Sequence, residues 1–311
     1  MEAKIISFAR LIMLTLVPYV LAAQGTMLGG RAGVFSVAQE GIMLVCAAVG
    51  FLAAYHLGGL FYGALVAMLL GGLVALALAY FTTTLKMDQF VIGLALFFAT
   101  AGLSSLVYKL AVGVTLKPPI IPTLSDVPIP VLSNIPILGE ILFRQNVFVY
   151  FSMLVSLVLY ILLYHTGLGL ELRAVGENPL AADSLGVNVT LMRYATTIIG
   201  GMLMGLAGAY LPMAYTGTFT EDIVRGRGWL SIALTFFGGW SPHFIFLGAL
   251  FFAGIEVLAF RAQVASIGIP YQFLLMLPYI ATILVMIPGF RWARVPAFLG
   301  KNYDREKRGI V

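Results

Sequence analysis

Apolar residues fall along this chain in runs of about twenty that hold almost no charge, separated by short polar breaks. The runs are unbroken stretches of Leu, Ala, Gly, Val and Phe, without the alternation of a half-buried strand, so they predict helices and not the staves of a β-barrel. A helix of that length satisfies its own backbone hydrogen bonds and matches the thickness of a hydrocarbon core. The expected spans are Phe8–Gly25, Ser36–Tyr55, Gly58–Phe81, Gln89–Leu110, Val147–His165, Arg193–Tyr215, Gly228–Trp240, His243–Phe260 and Gln272–Phe290. That makes about nine, with a range of eight to ten, because Gly228–Trp240 is short and reads either as a crossing or as a broken or tilted helix. The fold class is all-α: a polytopic membrane protein with one transmembrane domain over 1–311. Its first half lies at about 8–110 and its second at about 193–290, with a polar loop at 166–192 and a tail at 291–311.

Composition agrees, since 61% hydrophobic and 10% charged residues in a chain of 311 exceed what a water-soluble core could hide. The formal charge of +5 hints at an anionic partner, but the tail alone holds six Lys or Arg against Asp304 and Glu306. The excess is an end effect and needs no nucleic acid. Basic residues beside a last span resist translocation, so the C-terminus is expected in the cytoplasm. Counting backwards puts 166–192 and the turn around Lys86 inside and 111–146 outside. An odd count leaves the N-terminus outside, where Lys4 and Arg10 sit awkwardly. A second apolar run follows the first at once, so the first reads as a retained span and not a cleaved leader. Cys46, the single cysteine, excludes an intrachain disulfide, and the three histidines share no ligand spacing, so no metal site is expected.

Four polar features remain. The segment "RAVGENPLAADSLGVNV" (173–189) brackets one short helix, Pro179–Leu185: Asn178 is a good N-cap, Pro179 suits the first helical position, and Gly186 supplies a left-handed stop. Glu177 suits the positive end of the helix dipole, and a helix this short needs a surface to pack on. The segment "KPPIIPTLSDVPIPVLSNIPILGE" carries six prolines and reads as an extended outer loop, either a docking surface or a connector. "GRAGVFSVA" (30–38) and "GRGWLSIA" (226–233) resemble each other, and the Gln-Phe pairs at 89 and 272 follow in the same order. With Gly30 inside and Gly226 outside, this predicts an inverted repeat. Within the membrane, Ser36 and Glu40 are four apart at the start of the second span, and Ser231 and Thr235 repeat that spacing. Together with Gln39, Gln89 and Gln272 they are candidates for lining a polar solute path, against the alternative of helix packing. Glu40 needs an interior, a cavity or a partner such as Arg31, while Glu256 and Arg261 are expected to pair at a span end. Gly201, Gly205 and Gly208 form a stripe that permits close helix approach.

The loop at 173–189 resembles the characteristic cytoplasmic loop of bacterial ABC-importer permeases of the branched-chain amino acid, ribose and nucleoside group. "GRAGVFSVAQEGIML" is similar to that family's second-helix motif and "GRGWLSIALTFFGGWSP" to its counterpart in the second half. The likeness covers about 29–289. One departure is that the first motif in the family more often reads Glu-Arg-Ser-Gly followed by Asn-Ile, where this chain has Gly-Arg-Ala-Gly and Ser36-Val37. The pattern is nearest to the simple-sugar and nucleoside permeases, with a branched-chain amino acid permease as the runner-up.

The resemblance implies a non-enzymatic subunit in a bacterial inner membrane, moving nucleosides or simple sugars by alternating access. It implies a coupling helix that contacts an ATPase through Arg173, Glu177, Asn178, Pro179, Leu180, Ala181, Leu185 and Gly186. Further implied partners are a second permease, identical or related, and an extracytoplasmic substrate-binding protein or lipoprotein, with membrane lipid around them. No P-loop occurs in this chain, so ATP and Mg belong on the partner ATPase and no cofactor is expected on the permease. An ATP-independent secondary transporter is the alternative from a second class: an inverted repeat and Glu40 fit it equally well, but it needs ion coupling by intramembrane carboxylates and the chain offers few. An intramembrane enzyme would need a convergent catalytic set, and neither G-x-S-x-G nor H-E-x-x-H occurs.

Overall fold

The computed structural model describes residues 2–113, 118–265, 270–289 and 294–305. Lys117, Phe290, Arg291 and the charged end of the tail at 306–311 lie outside them. The helices are α1 (Glu2–Arg31), α2 (Gln39–Leu57), α3 (Leu60–Ala79), α4 (Gln89–Val112), α5 (Leu138–Leu142) and α6 (Val147–His165). They continue as α7 (Gly167–Glu177), α8 (Pro179–Ser184), α9 (Val189–Leu211), α10 (Arg227–Phe237), α11 (Pro242–Val264) and α12 (Tyr271–Gly289). Among the described residues the only sheet is a two-residue antiparallel ladder, Val127–Pro128 with Arg144–Gln145.

Seven of these helices are long and apolar enough to cross a membrane: α1, α2, α3 with its π-helical extension to Thr84, α4, α6, α9 with its extension to Thr216, and α11. Each of the nine expected spans meets a helix, yet α10 has only eleven residues. At 1.5 Å per residue it rises about 16 Å, half of a hydrocarbon core. Gly226 at φ +78° starts it, and Gly239 and Trp240, at +56° and +58°, stop it.

Two faces follow from contacts at opposite ends of α1. Arg10 pairs with Asp126 of the proline-rich segment, which is also tied to the end of α9 by the N–H of Ile121 donating to Gly217 O at 2.8 Å. About 31 Å further along, Arg31 lies at the face that carries the tail. We call these the proline-rich face and the tail face. α9 runs through the middle of the bundle against α1, α2 and α3. Its glycine stripe makes this possible: a Cβ on Gly201, Gly205 or Gly208 would stand 2.4, 2.3 or 2.1 Å from the carbonyl oxygens of Gly71, Ala67 and Met43.

Two local expectations change. The second span begins at Gln39, so Ser36 lies in a non-helical segment where its hydroxyl accepts the Ala38 N–H at 3.1 Å, and it shares no helical face with Glu40. Glu256 and Arg261 do not pair, because five residues turn them about 140° apart around α11. Glu256 instead pairs with Arg227 and accepts from the Tyr19 hydroxyl at 2.8 Å, while Arg261 donates to Lys4 O at 3.1 Å and Ser7 Oγ at 2.6 Å.

Candidate functional site

The half-helix α10 is held by charge at both ends. A helix start leaves N–H groups without partners and a helix end leaves carbonyls, and the macrodipole favours an anion at the first and a cation at the second. Glu40 of α2, 4% exposed, accepts the N–H groups of Gly226 and Gly228 at 2.7 Å each. Arg31 of α1 donates to Trp240 O at 2.8 Å and Gly239 O at 3.4 Å. Glu40 and Arg31 are therefore not partners: Glu40 closes the start of α10, and Arg31 holds the Gly239–Trp240 turn just beyond its end. Gly228 is required by this approach, since a Cβ there would lie 2.5 Å from Glu40 Cα.

Most polar residues singled out from sequence are turned inward. Ser231 and Thr235 are fully buried, and the Thr235 hydroxyl donates to Ala23 O of α1 at 3.2 Å and Ser231 O at 2.8 Å. Gln39 donates to Thr26 Oγ1 at 3.1 Å and Ser36 O at 2.8 Å. Gln89 is buried at the tail face, where it accepts the Phe35 N–H at 2.7 Å and lies 3.4 Å from Lys301 O. Gln272 is exposed at the start of α12. Around the start of α10 lies an aromatic group that hydropathy alone does not distinguish from core. Trp229, 38% exposed, meets Phe97 of α4 edge-on at 5.2 Å, and the Tyr279 hydroxyl of α12 donates to Arg225 O at 3.2 Å.

At the tail face, α7 and α8 form one unit. Asn178 caps α8 by accepting the Ala181 N–H at 3.0 Å, Pro179 occupies its first turn, and the helix ends at Ser184, one residue earlier than expected. Gly186 at φ +89° then closes the turn, with Val187 N–H donating to Ala182 O at 3.1 Å. Pro179 and Ala182 face inward; Asn178, Ala181 and Glu177 are exposed, and Leu185 is 86% exposed. Leu168 and Leu170 on α7 are also exposed. Arg173 lies over the Tyr164 ring at 5.2 Å.

The described part of the tail, 294–305, is a packed strap, a role its charge does not announce. Phe298 N–H donates to Gly176 O at 2.9 Å and Ala297 N–H to Glu177 Oε2 at 3.3 Å, so both hold the end of α7. Gly300 N–H reaches Gly33 O at 3.1 Å, Lys86 pairs with Asp304 at 2.8 Å, and Arg305 pairs with Asp183 of α8 at 3.2 Å. Beneath it the buried Arg193 donates to Ala32 O at 3.1 Å and Lys301 O at 3.2 Å.

A helical bundle in which seven helices among the described residues are long and apolar enough to cross a membrane, with an interrupted helix braced inside it, is a multi-pass membrane protein. The chain belongs to the branched-chain amino acid transport system / permease component family, whose model matches residues 8–287. It is 32% identical over 303 residues to the guanosine ABC transporter permease protein NupQ of Bacillus subtilis, covering 94% of both chains. To the nucleoside ABC transporter permease protein NupC of Lactococcus lactis it is 33% identical over 304 residues, 93% of this chain and 94% of the relative. To TsgC13 of Haloferax volcanii, an ABC transporter permease assigned to glucose, it is 31% identical over 92% of this chain and 94% of the relative. No solved structure matches the chain.

Proposed function

We propose that the chain is the permease subunit of an ATP-binding-cassette importer for nucleosides or simple sugars. Two permeases, identical or related, enclose the solute path. An external binding protein or lipoprotein delivers solute, and separate ATPase subunits, holding ATP and Mg, drive alternating access. The observation that carries this reading is the α7–α8 unit: a capped helix strapped to the tail, presenting Leu185 to solvent, in a chain without a P-loop. An exposed leucine of this kind recovers about 1.5–3 kcal/mol when a partner covers it. The names of the relatives, for guanosine, nucleosides and glucose, support the solute class.

The solute path in this reading runs along the face of α4, α10 and α12. Trp229, Phe97 and Tyr279 offer rings on which a nucleobase or a sugar face stacks, with Glu40 holding the interrupted helix behind them. The non-helical stretch 217–226 leads from the proline-rich segment, which it meets at Gly217, to the start of α10. The two halves read as an inverted repeat, α4 starting at the tail face with Gln89 and α12 running towards it from Gln272. The tail face is read as cytoplasmic on the weight of its Lys and Arg residues.

Proteoliposomes test this. Guanosine or ribose uptake should need the partner ATPase and ATP, and excess leucine should not compete. Uptake driven by an ion gradient without any ATPase would sink the reading in favour of a secondary transporter, and leucine uptake would move it to the branched-chain amino acid class that the family description names.

A further inference from the structure

At the tail-face end of α10, helices α6, α7, α11 and α12 leave an open groove of about 1380 Å³. Its mouth is cationic. The guanidinium groups of Arg31, Arg173 and Arg294 line it against one carboxylate, Glu177, which already accepts the Ala297 N–H. Arg31 is fixed by two carbonyls and Arg173 by the Tyr164 ring, so both are preset in position. Among the described residues none of the three takes part in an ion pair.

Deeper in, the wall turns apolar with Phe244, Leu247, Phe251 and Leu284. A second groove of about 770 Å³ shares Tyr160, His243 and Leu247 with the first and continues between α6 and α11 past Leu157 and Leu154 to Tyr150. From Tyr164 to Tyr150 the axis of α6 rises about 21 Å, more than the ~15 Å half-thickness of a hydrocarbon core. The two grooves therefore form one channel, cationic where headgroups lie and apolar through the depth of a leaflet. Tyr160 and Tyr164 stand at the transition, the level that such rings favour.

Shape and charge together select the occupant. A soluble anion would fill the mouth and leave the apolar length without a partner. A helix from another protein would cover the leucines but bring no anion to three arginines, each of which is attracted to an anionic headgroup. We propose that the α6–α7–α11–α12 groove binds an anionic phospholipid of the tail-side leaflet, its phosphate on Arg31, Arg173 and Arg294 and an acyl chain along Leu157 and Leu247. Since Arg173 belongs to the helix that leads into α8, the lipid fixes the orientation of the α7–α8 unit. The site is independent of which solute is carried.

The test is native mass spectrometry of the purified full-length permease with phosphatidylglycerol and with phosphatidylcholine of identical chains. The intact protein should prefer phosphatidylglycerol, and the double variant R173Q/R294Q should lose about thirtyfold of that preference, the equivalent of about 2 kcal/mol for two arginines. Leu247→Trp, which obstructs the apolar length and leaves the arginines in place, should weaken both lipids alike, and inorganic phosphate should displace neither. Equal binding of the two lipids by the intact protein, or full preference retained by R173Q/R294Q, overturns the proposal. Displacement by inorganic phosphate also overturns it and makes the mouth a free-anion site. If neither lipid binds until a second permease copy is removed, the groove is a subunit interface and the proposal fails.

Discussion

Glu40 and Gly228 are 188 residues apart in the chain and meet through one hydrogen bond of 2.7 Å, carboxylate to backbone N–H. With the matching bond to Gly226, a side chain at the start of one span closes the open start of an interrupted one. A charge-assisted bond of this kind, buried, is worth about 1.5–3 kcal/mol, and its loss leaves an N–H unpaired in a dry environment.

Glu40→Gln keeps the size but turns one accepting oxygen into a donor facing an N–H. Stability should fall by about 3 kcal/mol. The apparent melting temperature in detergent reads this, and an unchanged melt would show that the carboxylate does not hold α10.

Gly228→Ala attacks the same contact from the other side, because its Cβ would stand 2.5 Å from Glu40 Cα and 2.7 Å from Glu40 Oε2. Overpacking at backbone contact costs about 1–3 kcal/mol. Uptake should fall with stability. Full transport by this variant would mean that α10 has room to move away from α2.

Leu185→Asp and Leu180→Asp together should abolish ATPase-coupled uptake. The Leu185 change alone should alter stability by no more than about 0.5 kcal/mol, since that side chain is exposed. Copurification of the permease with its ATPase is the measurement, and normal recovery of the complex by the double variant would refute the docking role of α8.

Sidedness can be read with single cysteines at Ser125 and Ser184, both exposed, because the native Cys46 is buried and should stay silent. An impermeant thiol reagent added to intact cells should label position 125 and spare 184. Equal labelling of both would overturn the assignment of the tail face to the cytoplasm.

Deleting the tail from residue 297 onward removes the Lys301 carbonyl that Arg193 uses and the strap across Gly176, Glu177 and Asp183. The buried guanidinium is then left partly unpaired, at a cost of about 1–3 kcal/mol or more. Limited proteolysis should reach α7–α8 faster in the truncated protein, and equal protection would show that the strap is dispensable.

The membrane class, the caps of α8 and the glycine stripe of α9 were legible in the sequence because each follows from local rules: run length against bilayer thickness, N-cap chemistry, and small residues at helical spacing. The partners of charged residues were not. Glu40, Arg227 and Glu256 each found a mate on another helix and Arg31 found its own in the turn after α10, whereas sequence spacing ranks only neighbours three or four positions away. Nor did periodicity reveal that Ser231 is buried and Thr235 faces α1, or that Trp229 and Tyr279 stand outward, since all four sit in equally apolar runs.

By itself, then, the sequence determined that this chain is a bundle of membrane helices with one capped helix in a polar loop, since solvation of backbone and side chains acts residue by residue. Only the tertiary structure decided that α10 stops halfway, that opposite charges hold its start and the turn beyond its end, and that residues 294–305 fold back over α7 and α8. Those outcomes depend on which helix ends meet in space, and a buried charge takes whatever partner lies within hydrogen-bond reach, however distant in the chain.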